Sequence, residues 1–255
     1  MDVRTALFLA AVCGQTYVQY ADGGPFVVPD GYTAIGEIWA GNAGPLPERF
    51  GFVLESSDRV IVAFRGTRST YDWVSDFIAE QVPYPWAADG GMSHQGFTDI
   101  YATCRDGLVA LLNTLPRRKT LYIAGHSLGG ALATLAAPDL ARHGGMGQPV
   151  VYTFAAPRVG NSRYVSMYNR TIQLSARIYN TYDIVPHLPP FLYKSPRTDK
   201  LYEYLHVKSG YELSYDTGSL SGNHLLKGYF AALAAKDPAF ARSMCSRPEG
   251  LCPII

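Results

Sequence analysis

Short apolar runs rich in β-branched and aromatic residues stand at 60–64 (VIVAF), 120–125 (TLYIAG), 150–155 (VVYTFA) and 176–181 (ARIYNT). Runs of this kind, bounded by turn residues and not strictly alternating, predict strands buried on both faces, the mark of a mostly parallel sheet. Between them the apolar positions recur with a helical period over 98–115, 128–142 and 162–174. This βαβ alternation predicts an α/β fold with helices on both faces of the central sheet. Residues 21–48, rich in Gly and Pro, are expected to be an irregular lead-in to a strand at 51–55. A loop at 186–200 should be followed by strands at 201–207 and 211–215 and by a helix at 225–235. With no internal repeat, low-complexity tract or linker, a single domain spanning 1–255 is expected.

Composition narrows the function classes without naming one. Of 255 residues, 47% are hydrophobic and 17% charged, and the formal net charge is only +1. That balance argues against disorder and against a nucleic-acid-binding surface. The opening run ALFLAAVC at 6–13 follows a mixed lead-in, Asp2 with Arg4, and reads as a buried helix rather than a cleavable leader. Since no apolar run reaches the roughly 20 residues of a membrane span, no transmembrane segment is expected and the chain should be soluble. Cys13, Cys104, Cys245 and Cys252 lack zinc spacing. Buried thiols are the ordinary expectation for them, although Cys245 and Cys252 are spaced to close a small loop in the tail.

The chemistry begins at GHSLGG, 125–130, which fits G-x-S-x-G and lies between a buried strand and an Ala/Leu-rich helix. This is the context of a nucleophile elbow, a sharp strand-to-helix turn that lifts Ser127 out of the sheet. Gly125 and Gly129 leave room for the bend. At the helix start the first amides have no intrahelical partner, so the Leu128 N–H is placed to stabilise a developing oxyanion. Pro138 falls within the following helix and is expected to kink or end it.

Serine needs a base to take its proton, and the base needs a carboxylate to orient it. On this scaffold the acid and base follow the serine in the order acid, then histidine. Asp183 directly follows the strand at 176–181, at a strand's carboxyl end, where such sheets build their sites. Asp139 lies in a helix, Asp199 and Asp216 in turns, and Asp237 beyond the last histidine. His187 stands too near Asp183 in sequence to face it comfortably. His206 sits in a β-like stretch, while His224 follows the turn residues Ser221, Gly222 and Asn223 and precedes an apolar helix. His224 is therefore the favoured base and His206 the alternative. His126 should pack as a buried partner, His94 should fix a loop at a helix start, and His143 should be solvated.

GHSLGGALATLAA, with VAFRGT, HQGF, AAPRVGN and YDIVPHLPP, resembles the class 3 lipases, a fungal-lipase-like branch of the α/β-hydrolases; the likeness runs from about residue 17 to 230. The resemblance implies an α/β-hydrolase fold with a helical lid, and it maps Ser127, Asp183 and His224 onto nucleophile, acid and base. It adds Thr67, which closes FRGT, as a second oxyanion donor. It also implies that 68–80 (RSTYDWVSDFIAE) is the lid, with Tyr71, Trp73, Val74, Phe77 and Ile78 forming an apolar stripe and Asp72, Asp76 and Glu80 on a solvated face. The aromatic pair after the base, Tyr229 and Phe230, comes late for the family, and the tail from Lys236 has no counterpart.

The expected activity is hydrolysis of a carboxylic ester through an acyl-enzyme, with no metal or organic cofactor implied. The acyl groove is expected to draw on the lid and on the apolar stretch Val185, Pro189, Phe191 and Leu192. The partners implied are a lipid or small-molecule ester and, transiently, a lipid–water interface. An apolar lid favours acylglycerols; soluble short esters, phospholipids and aryl esters of plant wall sugars remain open. From a different class, the rival is a catalytically silent lipid-binding module on the same scaffold.

Overall fold

The computed structural model describes residues 1–41, 46–67 and 79–253. Helix α1 (Val3–Ala21) leads into β1 (Thr33–Ala40), β2 (Glu48–Glu55) and β3 (Arg59–Phe64). A small ribbon of β4 (Gln81–Pro83) and β5 (Met92–His94) precedes α2 (Gln95–Asn113). Then come β6 (Thr120–His126), α3 (Leu128–His143), β7 (Val150–Phe154), α4 (Ser162–Thr171) and β8 (Leu174–Asn180). A hairpin of β9 (Leu192–Lys194) and β10 (Leu201–Glu203) is followed by β11 (Gly210–Leu213), α5 (Leu220–His224), α6 (Leu226–Ala234) and α7 (Pro238–Ser246).

The central sheet runs in the order β1-β2-β3-β6-β7-β8-β11. From β3 onward neighbours are parallel, and β1 and β2 add an antiparallel edge. Alternate residues of β3 feed two cores, because a strand's side chains point to opposite faces. Val60, Val62 and Phe64 pack with α2, α3 and α4, while Ile61 and Ala63 pack with α1, α6 and α7. The mostly parallel α/β arrangement expected from the apolar runs, and implied as an α/β-hydrolase fold by the resemblance, is thus the one observed, and no described helix is long and apolar enough to cross a membrane.

Three expectations are corrected. The region read as an irregular lead-in contains β1, whose Ile38 and Ala40 are buried at an edge that a Gly- and Pro-rich setting disguises. The strand expected at 201–207 stops at Glu203, after which the Tyr204 hydroxyl turns inward to donate to the Ala79 carbonyl. Helix α3 runs on through Pro138 to His143. Proline has no N–H to give the carbonyl four residues back. That carbonyl, on Thr134, instead accepts from the buried Tyr164 hydroxyl at 2.9 Å, and the next one, on Leu135, accepts from the Tyr84 hydroxyl at 2.8 Å.

Among the cysteines, Cys245 and Cys252 form a disulfide, while Cys13 and Cys104 are buried thiols. Burial raises both thiols, Cys104 to about 12.

Replacing Tyr164 by Phe should cost about 1–3 kcal/mol, the range for stranding a buried polar group. In a Pro138→Ala background the loss should shrink, since the restored amide takes the Thr134 carbonyl. Denaturant unfolding of the four proteins measures both terms, and equal losses in the two backgrounds would show that the hydroxyl does not substitute for the missing amide.

Candidate active site

Ser127 joins β6 to α3 at φ 58°, ψ −127°, a conformation that L side chains rarely adopt. The surrounding backbone leaves it little choice. A Cβ on Gly125 would stand 2.1 Å from the Gly129 carbonyl oxygen, and one on Gly129 would stand 2.2 Å from that of Phe64. Glycine alone lets α3 descend this closely onto the ends of β6 and β3. The Ser127 amide donates to the Phe154 carbonyl at 2.9 Å, and the Ser127 carbonyl accepts the first bonds of α3 from Gly130 and Ala131.

The structure brings three of the sequence-selected residues into one hydrogen-bonded line. Ser127 Oγ lies 2.8 Å from His224 Nε2, and His224 Nδ1 lies 2.7 Å from Asp183 Oδ2. With Nδ1–H donating to the carboxylate, Nε2 is left as the acceptor of the serine proton. The favoured base is therefore the one in reach. His206 instead lies 2.6 Å from the Pro186 carbonyl through its Nε2. The competing carboxylates are used elsewhere: Asp139 binds Arg105, Tyr101 and His143, Asp199 pairs with Lys194, Asp216 receives Asn223, and Asp237 pairs with Arg4. His143 is thus half-exposed but hydrogen-bonded to Asp139 rather than simply solvated.

Asp183 is wholly buried, and a buried carboxylate needs several donors. Besides His224 it accepts from the Val185 amide at 3.0 Å and the Tyr229 hydroxyl at 2.7 Å. Tyr229 in turn accepts from the Asn180 amide at 3.0 Å. Burial and the adjacent Asp183 hold the Tyr229 phenol well above its ordinary range, so it remains a donor. Sequence reasoning saw Tyr229 only as a displaced aromatic. Its signal was a tyrosine on the apolar face of the helix that follows the base.

His126 proves to be more than packing. Its Nε2 donates to the His224 carbonyl at 2.9 Å, which leaves Nδ1 to accept from the Tyr17 hydroxyl at 2.7 Å. Helix α1 thereby helps to hold the main chain of His224. A second unforeseen contributor is Arg65 of FRGT, 2% exposed, which donates to the Arg49 and Gly66 carbonyls and lies 3.9 Å over the Tyr20 ring. It fixes the turn that presents Thr67. Among the described residues, the buried Thr67 hydroxyl has no hydrogen-bond partner.

A cavity of about 350 Å³ adjoins the site, reaching Thr67, His224 and Tyr17 and continuing past Leu225, Leu226 and Lys227. Ser127 itself is 1% exposed and His224 2%. The structure does not bring the expected groove residues into this cavity: Val185 and Pro189 are buried elsewhere, and Phe191 and Leu192 are each 52% exposed. Tyr71, Trp73, Val74, Phe77 and Ile78, with Asp72 and Asp76, lie outside the described residues. Glu80, expected on a solvated face, is half-buried and accepts from Ser195 Oγ at 2.8 Å. Among the described residues no cluster of His, Cys, Asp and Glu is arranged to hold a metal.

The family model described as lipase (class 3) matches residues 61–193. Across 142 residues the chain is 36% identical to a lipase of Rhizomucor miehei, covering 53% of this chain and 39% of that protein. Across 164 residues it is 31% identical to phospholipase A1-II 1 of Oryza sativa subsp. indica, covering 55% and 42%. This chain therefore matches about two fifths of the length of these relatives. In three dimensions it is similar to the solved Rhizomucor miehei triacylglyceride lipase, with a TM-score of 0.65 at 24% identity, covering 81% of this chain and 77% of that one.

His94 and His126 are buried and His206 is half-buried, each in surroundings that favour the neutral ring. Desolvation lowers His94 and His206 to about 3, and desolvation with the nearby His224 holds His126 well below its ordinary value. As pH falls below about 6.5 the unfolded chain takes up protons that these native rings refuse, so stability should drop by about 1.4 kcal/mol per pH unit for each. The loss continues until pH approaches each depressed value. His206→Gln should remove one histidine's share of the slope of unfolding free energy between about pH 6 and pH 4. An unchanged slope would mean that His206 is already charged in the native protein.

Proposed function

We propose, since the chain belongs to the class 3 lipase family, that it is a serine carboxylic ester hydrolase acting on acylglycerols through an acyl-enzyme. The observation that carries this reading is the continuous line from Ser127 Oγ through His224 to a buried Asp183, at 2.8 Å and 2.7 Å. In the first half-reaction Ser127 Oγ attacks the ester carbonyl while His224 Nε2 takes its proton. Asp183 steadies the imidazolium so formed, with Tyr229 and the Val185 amide sharing the carboxylate's charge. The oxyanion is received by the Leu128 amide at the start of α3 and by Thr67, whose buried hydroxyl, without a partner among the described residues, fits that role. Collapse of the tetrahedral intermediate breaks the bond to the alcohol oxygen, which takes the proton from His224. Water then repeats the sequence on the acyl-serine and releases the acid.

The substrate assignment rests on the family and on the apolar content of 68–80, which we assign as a lid that meets a lipid–water interface when open. A relative named as a phospholipase supports phospholipid esters as the second reading. The whole chain is assigned to one domain.

Ser127→Ala should abolish ester turnover and labelling by a fluorophosphonate probe without altering unfolding, since it removes one oxygen and no core packing. Labelling that survives the substitution would reassign the nucleophile. Loss of His224 as Ala should approach the serine variant in rate, because the three residues act as a unit. His206→Ala should chiefly lower stability, and exchanged phenotypes would make His206 the base. Thr67→Val should reduce kcat by about 10²-fold to 10³-fold if its hydroxyl serves the oxyanion. Full activity in that variant would leave only the Thr67 amide in the role.

A further inference from the structure

Gly14 lies inside α1, between the buried Cys13 and Gln15. A glycine within a helix costs about 0.5–1 kcal/mol relative to alanine, so its use there calls for a reason in the packing. A Cβ at this position would stand 3.3 Å from Pro253 Cγ and 4.0 Å from Leu226 Cδ2. Pro253 belongs to the C-terminal tail, and Leu226 opens α6 two residues after His224. All three line the cavity that reaches Thr67 and His224.

The tail is anchored at this place. Gln15 Nε2 donates to the Gly250 and Leu251 carbonyls, both at 2.8 Å, and its Oε1 accepts from the Val27 amide at 2.8 Å. Leu251 is 1% exposed in the core shared by α1 and α6. The Cys245–Cys252 disulfide closes the loop just before Pro253. Both α1 and the tail lie outside the residues that the family model matches.

We infer that α1 and the disulfide-closed tail are the walls of a subsite that receives an aliphatic chain of the ester substrate. The inference rests on the ester hydrolase reading above. Its size lies within the range of about 300–1,000 Å³ usual for small-molecule sites. Gly14, Pro253, Leu225 and Leu226 give it an apolar lining; of its polar residues, Thr67, His224, His126 and Tyr17 belong to the reacting end and its hydrogen-bonded neighbours, and Lys227 also lines it. Glycine at 14 keeps the space open where any side chain would enter between Pro253 and Leu226. An acyl chain and a long alcohol share this chemistry, and the experiment separates them.

Gly14→Leu and Pro253→Phe fill the cavity from α1 and from the tail, the second from a half-buried tail position where folding is little threatened. Each is compared with the parent on p-nitrophenyl esters from acetate to palmitate, and on acetates of straight-chain alcohols followed by acid release. In one series the ratio of kcat/KM for the longest to the shortest ester should fall about tenfold, an effect near 1.4 kcal/mol. The responding series identifies the chain. Equal losses at every length in both series, with both variants, would overturn the subsite. A parent inactive on every ester would instead defeat the hydrolase reading. A readout without turnover then decides the subsite: fluorescent cis-parinaric acid should bind the Ser127→Ala protein and bind about tenfold more weakly when Pro253→Phe is added. Unchanged binding would overturn it.

Discussion

The structure depends on a single abrupt reversal, where β6 ends and α3 begins within the span of Ser127. A serine at φ 58° is strained, at a cost on the order of 1–3 kcal/mol, and such a conformation persists only when its surroundings leave no alternative. Here they do so on every side. The Gly129 backbone fills the space a Gly125 side chain would need, the Phe64 carbonyl does the same for Gly129, and the Ser127 amide is claimed by β7. Every residue of α3 from Leu128 to Leu140 is buried. The apolar packing of that helix against sheet, α2 and α4 is the opposing force that keeps the turn closed, and it fixes where the serine oxygen and the first helical amides point.

A second constraint follows from placing charge in this setting. Asp183 is sealed from water, so each of its contacts must be made by protein. Tyr229 and Asn180 connect it to α6 and β8, and Asn223 extends the same network to the loop before α5. The Asn223 side chain takes the Thr217 amide and gives to Asp216, while its carbonyl receives Tyr215 and Asn180. The short helix α5 that follows this loop ends on His224, and His126 holds the His224 carbonyl from the other side. His224 is thus positioned by its main chain as well as by the Asp183 carboxylate.

Elements at the ends of the chain complete the site. Helix α1 supplies Tyr17 to the His126 contact and Gly14 to the adjoining cavity, and the tail folds back onto it through Gln15. Ser127 and Asp183 come from the central βαβ series and His224 from α5 beyond it, while the walls of the cavity come from α1, the start of α6 and the tail.

The amino-acid sequence alone determined the parts of this protein that depend on local pattern. Unbroken apolar runs mark strands buried on both faces, and the order of strand, G-x-S-x-G and apolar helix fixes the elbow, because those features lie within a few residues of one another. Asp183 was legible for the same reason, standing just past a strand's end. The choice of His224 over His206 was not fully contained in the sequence. It turns on hydrogen bonds between residues 97 and 41 positions apart, and thus on the path of the whole chain. Pro138 gives a breaking signal by every local rule, yet its helix continues because Tyr164, far along the chain, supplies the missing donor. Tyr229 as partner of the acid, Arg65 as clamp of the Thr67 turn, the edge strand β1 and the tail as a cavity wall were likewise decided by tertiary structure. Each depends on which distant groups share a buried space, and a linear pattern carries no record of that.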